Sequence, residues 1–299
     1  MSQRLIATIG MFDGVHIGHR FLIDFLRSEA THRNLIPATF TFNRHPLSIV
    51  RPDAVPPMLS SLQERIDLLH EAGAQYVEVL DFNEQMRSLS ARQFIAMLHD
   101  RYDVDALIVG FNNRFGHDRI DGIEQYRTIG AEIGIDIIQA PEYHGIASPV
   151  SSSIIRKYLC EGNIDQASVS LGRCYTLTGT VVTGKQLGRT IGFPTANISP
   201  LDTQKLIPAS GAYAVTVTTA DGIPRPAMLN IGSRPTIDRP NAPISLEAHI
   251  FDYNADLHGT TVSITFHAYL RPERRFPSLE ALRSQLDADA SSVKQLFNK

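Results

Sequence analysis

The stretch Gly10-Met11-Phe12-Asp13-Gly14-Val15-His16-Ile17-Gly18-His19 follows directly on the apolar run Leu5–Ile9 and decides the fold of the first half of the chain. This order of residues predicts a β-strand, a tight glycine turn and the start of a helix. The glycines allow the backbone to approach a bulky ligand closely, and the helix directs free N–H groups and the positive end of its dipole at an anion. We therefore expect a nucleoside triphosphate at this turn.

His16 and His19 lie three residues apart, so they share one face of the first helical turn and can meet the same phosphate group. Fixed donors there would stabilise the charge that develops when the α-phosphate of ATP is attacked, which predicts nucleotidyl transfer. The alternatives are two surface histidines that happen to begin a helix, and a zinc site. Zinc needs further ligands, and Cys160 and Cys174 are far away without Cys-x-x-Cys spacing. The strand, glycine and helix context favours phosphate chemistry.

The length of 299 residues indicates about two domains, each large enough for its own core. The net charge of -3 shows none of the basic surplus typical of nucleic-acid binding, so we expect small-molecule partners and no nucleic acid. Two cysteines argue against a disulfide framework, and the chain shows no secretory signal pattern and no apolar run long enough to span a membrane. A cytoplasmic protein without a membrane partner is the consequent expectation.

The first half of the chain alternates short apolar runs with helical patterns. Strands are predicted over 5–9, 36–42, 76–80, 106–110 and 135–139, and helices over 18–29, 61–71, 90–100 and 122–133. Ser61 with Glu64 and Ser90 with Gln93 fit the capping box at two helix starts. This alternation predicts an α/β domain with a parallel sheet and helices on both faces, which binds ligands at the carboxyl ends of its strands.

The second half changes to a period of two. Strict alternation over 261–270 places Val262, Ile264 and Phe266 on one face, which predicts a half-buried strand. Several such strands separated by Gly, Pro and Asn clusters predict an antiparallel barrel or sandwich. Ser278 can cap a closing helix whose Leu279, Leu282 and Leu286 share a face, and a helical segment over about 152–170 joins the halves. We place the domains at residues 1–170 and 171–299.

Three further segments of the first half are candidates for ligand contact. Ser151, Ser152 and Arg156 begin the connecting helix, so hydroxyl, N–H and guanidinium groups suited to phosphate converge there, although a plain serine N-cap explains the serines equally well. The loop 110–117 follows a predicted strand and carries amides suited to bases or sugars. His45 follows the strand over 36–42 at the same edge, where it could merely shape a turn.

The segment 184–197 of the second half is rich in glycine but lacks the Gly-Lys-Ser/Thr ending of a P-loop. Its Thr195 hydroxyl and Asn197 amide are hard oxygen donors suited to Mg²⁺ if ATP supplies the negative charge, whereas a glycine-rich barrel turn is the plainer explanation. Glu247 points away from the apolar face of its strand and could accept a proton from an attacking hydroxyl, although most such residues are only solvated. Arg271 and its neighbours could likewise be surface charge.

Five motifs in the same order give the chain a wider resemblance. They lie at 10–19, 151–156, 188–197, 230–236 and 246–252. Together they resemble the bacterial bifunctional riboflavin kinase and FMN adenylyltransferase family, also called FAD synthetase, along nearly the whole chain. The resemblance implies a Rossmann-like nucleotidyltransferase domain followed by an antiparallel β-barrel kinase domain with a C-terminal helix. It also implies two ATP-dependent reactions with Mg²⁺, from riboflavin to FMN and from FMN to FAD.

The resemblance also implies residue roles. His16 and His19 would hold the α-phosphate, Ser152 and Arg156 the outer phosphates, Thr195 and Asn197 the Mg²⁺, and Glu247 would be the general base. Further contacts in the first domain are expected from Gly10, Phe12, Asp13, Gly14, Gly18, Asn43, His45, Asn112, Arg114 and Ser151, and in the second from Gly184, Gly188, Gly192, Pro194 and Arg271. Asn43-Arg44 and Asn112-Asn113 depart from the residues usual in the family at those positions.

Two other functions are alternatives to this interpretation. His-x-Gly-His also begins class I aminoacyl-tRNA synthetases, but the chain has no Lys-Met-Ser-Lys-Ser loop and no basic surplus for tRNA. A non-catalytic flavin-binding regulator would have little need of groups that act on phosphate in the transition state. We expect an enzyme whose partners are riboflavin, FMN and ATP, and which is a monomer or a weak homo-oligomer.

Overall fold

The fold is described from a computed structural model, which covers residues 4–110, 115–118, 120, 122–184, 192–233 and 244–298. The chain forms two compact units, Met1–Ser152 and Ser153–Lys299. The first unit contains a five-stranded parallel sheet and the second a closed antiparallel barrel. The α/β class of the first half is confirmed, and the choice between barrel and sandwich in the second is resolved in favour of the barrel.

The first unit has the sheet order β3-β2-β1-β4-β5. Its strands are β1 (Leu5–Ile9), β2 (Ile36–Phe42), β3 (Tyr76–Leu80), β4 (Val104–Val109) and β5 (Asp136–Gln139), and its helices are α1 (Ile17–Arg33), α2 (Leu47–Val50), α3 (Leu62–Glu71), α4 (Glu84–Ser88), α5 (Ala91–Tyr102) and α6 (Ile123–Ile133). The central strand β1 is buried throughout. Its alternate side chains enter different core clusters, since Ala7 packs with α5 residues and Ile6 with α1 residues. Helices therefore cover both faces of the sheet, as predicted.

The barrel closes in the order β10-β7-β6-β11-β8-β9. Its strands are β6 (Thr176–Val182), β7 (Ala196–Pro200), β8 (Gly211–Thr218), β9 (Pro224–Ser233), β10 (Ile244–Ile250) and β11 (Thr261–Arg271). Val262, Ile264 and Phe266 are buried, as the alternation predicts. A register shift between Phe266 and Ala268 then ends the simple period of two, so Ala268 packs with a cluster that includes the C-terminal helix.

From residue 152 onward, the described residues form three helices beside the barrel strands. The connecting segment forms α7 (Ser152–Cys160) and α8 (Ile164–Leu171), two helices where one helical stretch was predicted, and the chain closes with α9 (Leu279–Phe297). Ser278 caps α9 by accepting from the Ala281 N–H, as predicted. The residues that α9 buries are Asp289 and Val293, whereas Leu279 is 65% exposed. The leucine face that the sequence indicates is therefore not the buried anchor of this helix.

Candidate active sites

The turn after β1 holds an unusual backbone. Phe12, Gly14 and Val15 have φ angles of 48°, 78° and 36°, and the Val15 N–H donates to the Phe12 carbonyl at 3.0 Å. The left-handed region costs a non-glycine residue roughly 1–3 kcal/mol, so the surrounding contacts must hold this turn in place. Burial of the side chains helps to stabilise the turn, because Phe12 and Val15 are only 2% and 0% exposed.

Asp13 fastens the turn to the chain segment that precedes α3. Its buried carboxylate accepts from the backbone N–H groups of Leu59 and Ser60 at 2.9 and 3.1 Å, and from the Ser60 hydroxyl at 3.3 Å. The Gly14 N–H in turn donates to the Ser60 hydroxyl at 3.0 Å. The structure thus directs the Asp13 side chain into the protein, where it supports the shape of the turn.

The two histidines stack at the start of α1. Their ring centroids are 3.6 Å apart and their planes differ by 16°. His16 is the N-cap residue, and its Nδ1 accepts from the His19 backbone N–H at 3.3 Å. This bond leaves the proton of a neutral His16 ring on Nε2. The predicted pairing of the two imidazoles on one side of the first helical turn is present in the structure.

His19 is held in its uncharged form. Burial lowers the pKa of His19 well below its ordinary value, and the neighbouring His16 lowers it further. Its Nδ1 is buried and has no hydrogen-bond partner among the residues that the structure describes, and its ring meets the Phe12 ring edge-on at 5.2 Å. A buried ring nitrogen without such a partner, at the positive N-terminal end of a helix, is suited to receive a negatively charged group.

Gly18 lets the helix start pack closely against its surroundings. A Cβ added there would lie 2.9 Å from the Val150 side chain and 3.3 Å from the His16 ring. A Cβ added at Gly10 would likewise lie 3.2 Å from the Phe12 ring. Both glycines thus serve the packing of the turn around the histidine pair.

Ser152 reaches this turn, since its hydroxyl donates to the Asp13 carbonyl at 2.9 Å. Ser151 is the residue just before α7, and Arg156 lies one helical turn after Ser152, half-buried. Positions four apart share a helix face. The structure therefore gives Ser152 a bond to the glycine turn and places Arg156 on the corresponding face of α7.

At the carboxyl end of β2, Asn43 uses its side chain within the protein. Its amide nitrogen donates to Asp81 at 2.6 Å and its amide oxygen accepts from the Phe82 N–H at 3.1 Å. His45 Nδ1 accepts from the Leu47 N–H at 3.1 Å. These bonds shape the edge of the sheet where ligands are expected. Asn112 and Arg114, and Gly188 of the second half, lie outside the described residues.

Arg65 is a buried charge that no sequence pattern singles out. It is 1% exposed, and its Nη2 donates to the Phe42 carbonyl at 2.6 Å. Its Nε and Nη1 are buried and have no partner within the described part of the chain. Burial lowers the pKa of this guanidinium, and the Asp13 carboxylate acts in the opposite direction. Arg65 therefore connects the end of β2 electrostatically with the glycine turn. Its capping-box helix was predictable, but nothing local marks this arginine as buried.

Among the described residues of the barrel unit, two cavities have different linings. The apolar cavity, of about 430 Å³, is lined mainly by Phe193, Met228, Leu229, Phe276, Leu282 and Leu286, with Glu247 and Asn230 among its polar groups. The polar cavity, of about 720 Å³, is lined by residues that include Thr183, Gly184, Asn197, Tyr253, Asn254 and Asp256. Thr195 lines both cavities. The two cavities thus meet at a hydroxyl that the sequence had singled out.

Strand pairing brings three polar side chains together, and two of them, Glu247 and Asn197, are predicted site residues. Glu247 lies opposite Asn197 of β7 on one side and opposite Asn230 of β9 on the other. Directly paired residues of antiparallel strands project from the same face. Leu246 and Ala248 point the other way and are buried at 1% each. A carboxylate therefore stands between two amides at the place where the two cavities meet.

Close packing fixes the Asn197 amide. A Cβ on Gly184 would overlap the Asn197 amide group, so a larger residue there would displace that amide. His249, two residues after Glu247, donates from Nδ1 to the Pro194 carbonyl at 2.7 Å. This bond ties the segment that carries Thr195 to β10. The sequence reasoning missed His249; alternation did place it on the same strand face as Glu247.

The donor set around Thr195 and Asn197 fits Mg²⁺ shared with a nucleotide. A hydroxyl and an amide oxygen are hard ligands, but both are neutral. Within the described ranges, no three His, Cys, Asp or Glu side chains form a group able to hold a metal. Phosphate oxygens would have to complete such a site, which is the arrangement that Mg²⁺ commonly adopts with nucleotides.

Arg271, at the end of β11, lines the apolar cavity, and its guanidinium pairs with Asp289 of α9 at 2.8 Å. Gly192 has a φ of 88°, and no described atom lies within 4 Å of a Cβ added there. The remaining predicted residue of this segment, Pro194, lines the polar cavity.

Comparison with known proteins covers the whole chain. Residues 1–154 match the family described as FAD synthetase, and residues 171–297 match the family described as riboflavin kinase. Proteins named bifunctional riboflavin kinase/FMN adenylyltransferase are similar along their length. The one from Escherichia coli K12 is 36% identical over 99% of this chain and 94% of its own, and the one from Bacillus subtilis 168 is 31% identical over 99% and 94%. These matches support neither the tRNA synthetase alternative nor a non-catalytic regulator.

A crystal structure supports the architecture as well. A Streptococcus pneumoniae protein named macrolide-efflux protein aligns with a TM-score of 0.89 at 30% identity, covering 98% of this chain and 95% of that one. The name of that protein refers to efflux. In the part of this chain that the structure describes, no helix combines the length and apolar character of a membrane span.

Proposed function

Because this chain belongs to the family of bifunctional riboflavin kinase/FMN adenylyltransferases, we propose that it transfers the γ-phosphate of ATP to riboflavin and then joins AMP from a second ATP to the resulting FMN. The second reaction releases pyrophosphate and gives FAD. We assign adenylyl transfer to residues 1–170 and the kinase to residues 171–299. The observation that carries the proposal is that each unit has its own group of side chains suited to phosphate chemistry, the stacked histidines in one and the Thr195–Glu247 region in the other.

In the kinase reaction, the flavin ring system would occupy the apolar cavity and ATP the polar cavity. Glu247 would accept the proton of the ribityl 5′-hydroxyl as that oxygen attacks the γ-phosphorus, and ADP would leave. Thr195 and Asn197 would hold Mg²⁺, which neutralises phosphate charge when bound. The position of Thr195 on both cavities supports this assignment, because the hydroxyl and the phosphate must meet between them.

In the adenylyl transfer, an oxygen of the FMN phosphate would attack the α-phosphorus of ATP and pyrophosphate would leave. His16 and His19 would donate hydrogen bonds to the oxygens on which charge develops. Ser152 and Arg156 would bind the outer phosphates. The unpartnered Nδ1 of His19 and the helix N-terminus support this assignment.

The direct test of the proposal is product analysis. Purified protein is mixed with riboflavin, ATP and Mg²⁺, and the flavins are separated by chromatography over time. We expect FMN first and FAD later. A folded protein that forms neither product would contradict the proposal.

ATP binding is expected to draw a proton onto His19. Its lowered pKa leaves the ring neutral at neutral pH, and a bound phosphate would raise that pKa toward the working pH. Calorimetry in buffers of different ionisation enthalpy should therefore show more proton uptake for wild type than for His19→Asn, by up to about one proton per protein molecule. Both proteins bind the same ATP, so the protons of ATP cancel in the comparison. Equal uptake would show that His19 does not meet the phosphate.

Gly184→Ala is expected to lower FMN formation through Asn197. The added methyl group would displace the amide, and a misplacement of about 1 Å can reduce a rate about a hundredfold. The control is Gly222→Asn at an exposed turn, since asparagine tolerates its φ of 75° and no atom of the described residues lies within 4 Å of an added Cβ. Steady-state kinase assays would measure both, with conversion of supplied FMN to FAD as the folding control. Wild-type kinase activity in Gly184→Ala would show that Asn197 is not part of the kinase site.

We propose riboflavin, FMN and ATP as the partners of this chain. The monomeric or weakly associated state, the lack of nucleic-acid and membrane partners, and the cytoplasmic location stay predictions from the sequence.

A further inference from the structure

The face that α9 turns toward the barrel has two parts. In the second half of the helix, Val293 is fully buried and packs with Ala214 and Met228. In the first half, Leu282 and Leu286 line the apolar cavity instead. Asp289 lies between the two parts. The helix is thus anchored at one end and forms a cavity wall at the other.

An ion pair between Arg271 and Asp289 lies where these two parts of the α9 face meet. The Arg271 Nη2 and Nε donate to the Asp289 carboxylate at 2.8 and 3.0 Å, and Gln285 adds a bond to the same carboxylate at 2.7 Å. The side chains of Arg271 and Asp289 are 15% and 6% exposed. A desolvated, two-point pair of this kind fixes an orientation as well as a distance.

The same bonds leave Arg271 poorly suited to bind phosphate. Its remaining terminal nitrogen, Nη1, donates to the Pro272 carbonyl at 3.3 Å, and the guanidinium lies 5.6 Å from the centre of the Phe276 ring. The guanidinium charge is neutralised by Asp289, and the cavity around it is mostly apolar. The geometry therefore differs from that of an arginine held ready for a nucleotide.

We propose that Arg271 and Asp289 are positioning residues for flavin binding, whose ion pair sets the α9 wall of the apolar cavity against the flavin ring system. The inference rests on the proposed kinase function. It gives the C-terminal helix a part in the reaction, since the ion pair holds α9 at Asp289, directly after the segment whose Leu282 and Leu286 line the cavity.

Arg271→Lys, Asp289→Asn and the double variant test the proposal in the full-length protein. We expect each single variant to raise the KM for riboflavin about tenfold, with the KM for ATP and kcat unchanged. The double variant should be no worse than the poorer single variant, because both changes break the same pair. Asp287→Asn is the matched control on the exposed side of α9 and should behave as wild type. Conversion of supplied FMN to FAD in the same preparations reports folding of the other unit.

Three results would overturn the inference. One is a riboflavin KM that stays at the wild-type value in both single variants. Another is an ATP KM that rises in Arg271→Lys but not in Asp289→Asn, which would make Arg271 a nucleotide ligand. The third concerns Gln285→Ala, which is used if the variants of the ion pair do not fold. This substitution removes one bond to Asp289 and should raise the riboflavin KM about twofold to threefold. An unchanged riboflavin KM in Gln285→Ala would overturn the inference. Wild-type protein without kinase activity would instead refute the proposed function, and the inference with it.

Discussion

Glu247→Gln is expected to lower the rate of FMN formation by about 10²–10⁴-fold, because the amide cannot accept the proton of the attacking hydroxyl. The substitution keeps the size of the side chain and its place between Asn197 and Asn230. The KM values for riboflavin and ATP should change little. A kinase assay with riboflavin as substrate measures the effect, and added FMN should still be converted to FAD.

Glu273→Gln is the matched control for this prediction. Glu273 is a second carboxylate on the apolar cavity but lies outside the row of paired strands that holds Glu247. We expect it to keep most of the kinase activity. If Glu273→Gln abolished FMN formation and Glu247→Gln did not, the assignment of Glu247 as the general base would be wrong.

His19→Ala is expected to lower FAD formation by about 10²–10³-fold while FMN accumulates, since it removes a fixed donor from the place where charge develops on the α-phosphate. Burial and the unpartnered Nδ1 mark this ring as a group prepared for a ligand. The measurement is the ratio of FAD to FMN formed from riboflavin and ATP. His32→Ala, on the exposed end of the same helix, should leave that ratio unchanged.

The loss in His19→Ala must be confined to adenylyl transfer. Our proposal assigns the kinase reaction to groups of the barrel unit, so FMN formation provides a control within the same molecule. A folded His19→Ala protein that lost both reactions would contradict the assignment of one reaction to each unit.

Local sequence patterns predicted much of the first unit. β1, β2 and β3 have the predicted bounds, and both capping boxes are present, because these features depend on neighbouring residues and on a simple period. The short helices Leu47–Val50 and Glu84–Ser88 were missed. With four and five residues, they are too brief to show a helical period.

The site was predictable to the extent that its residues are adjacent in the sequence. The stacked histidines follow from their spacing of three, and Thr195 and Asn197 from a glycine-rich segment. Arg65 and Asp289 could not be predicted in this way. Each is a charged residue on a helix, and only the tertiary fold shows that it is buried.

The leucines of α9 show the same limit. Their spacing predicts a shared face, which is correct, but periodicity does not say whether that face meets a core or a cavity. The register shift after Phe266 is likewise invisible in the alternation of β11, which continues through it in the sequence.

The central claim is that one chain uses two ATP molecules in two different ways. Riboflavin is therefore incubated with the protein and ATP labelled in either the γ- or the α-phosphate, and the FAD formed is isolated and cleaved into FMN and AMP. We predict γ-label in the FMN part alone and α-label in the AMP part alone. FAD without γ-label in its FMN part, or α-label in that part, would contradict the account.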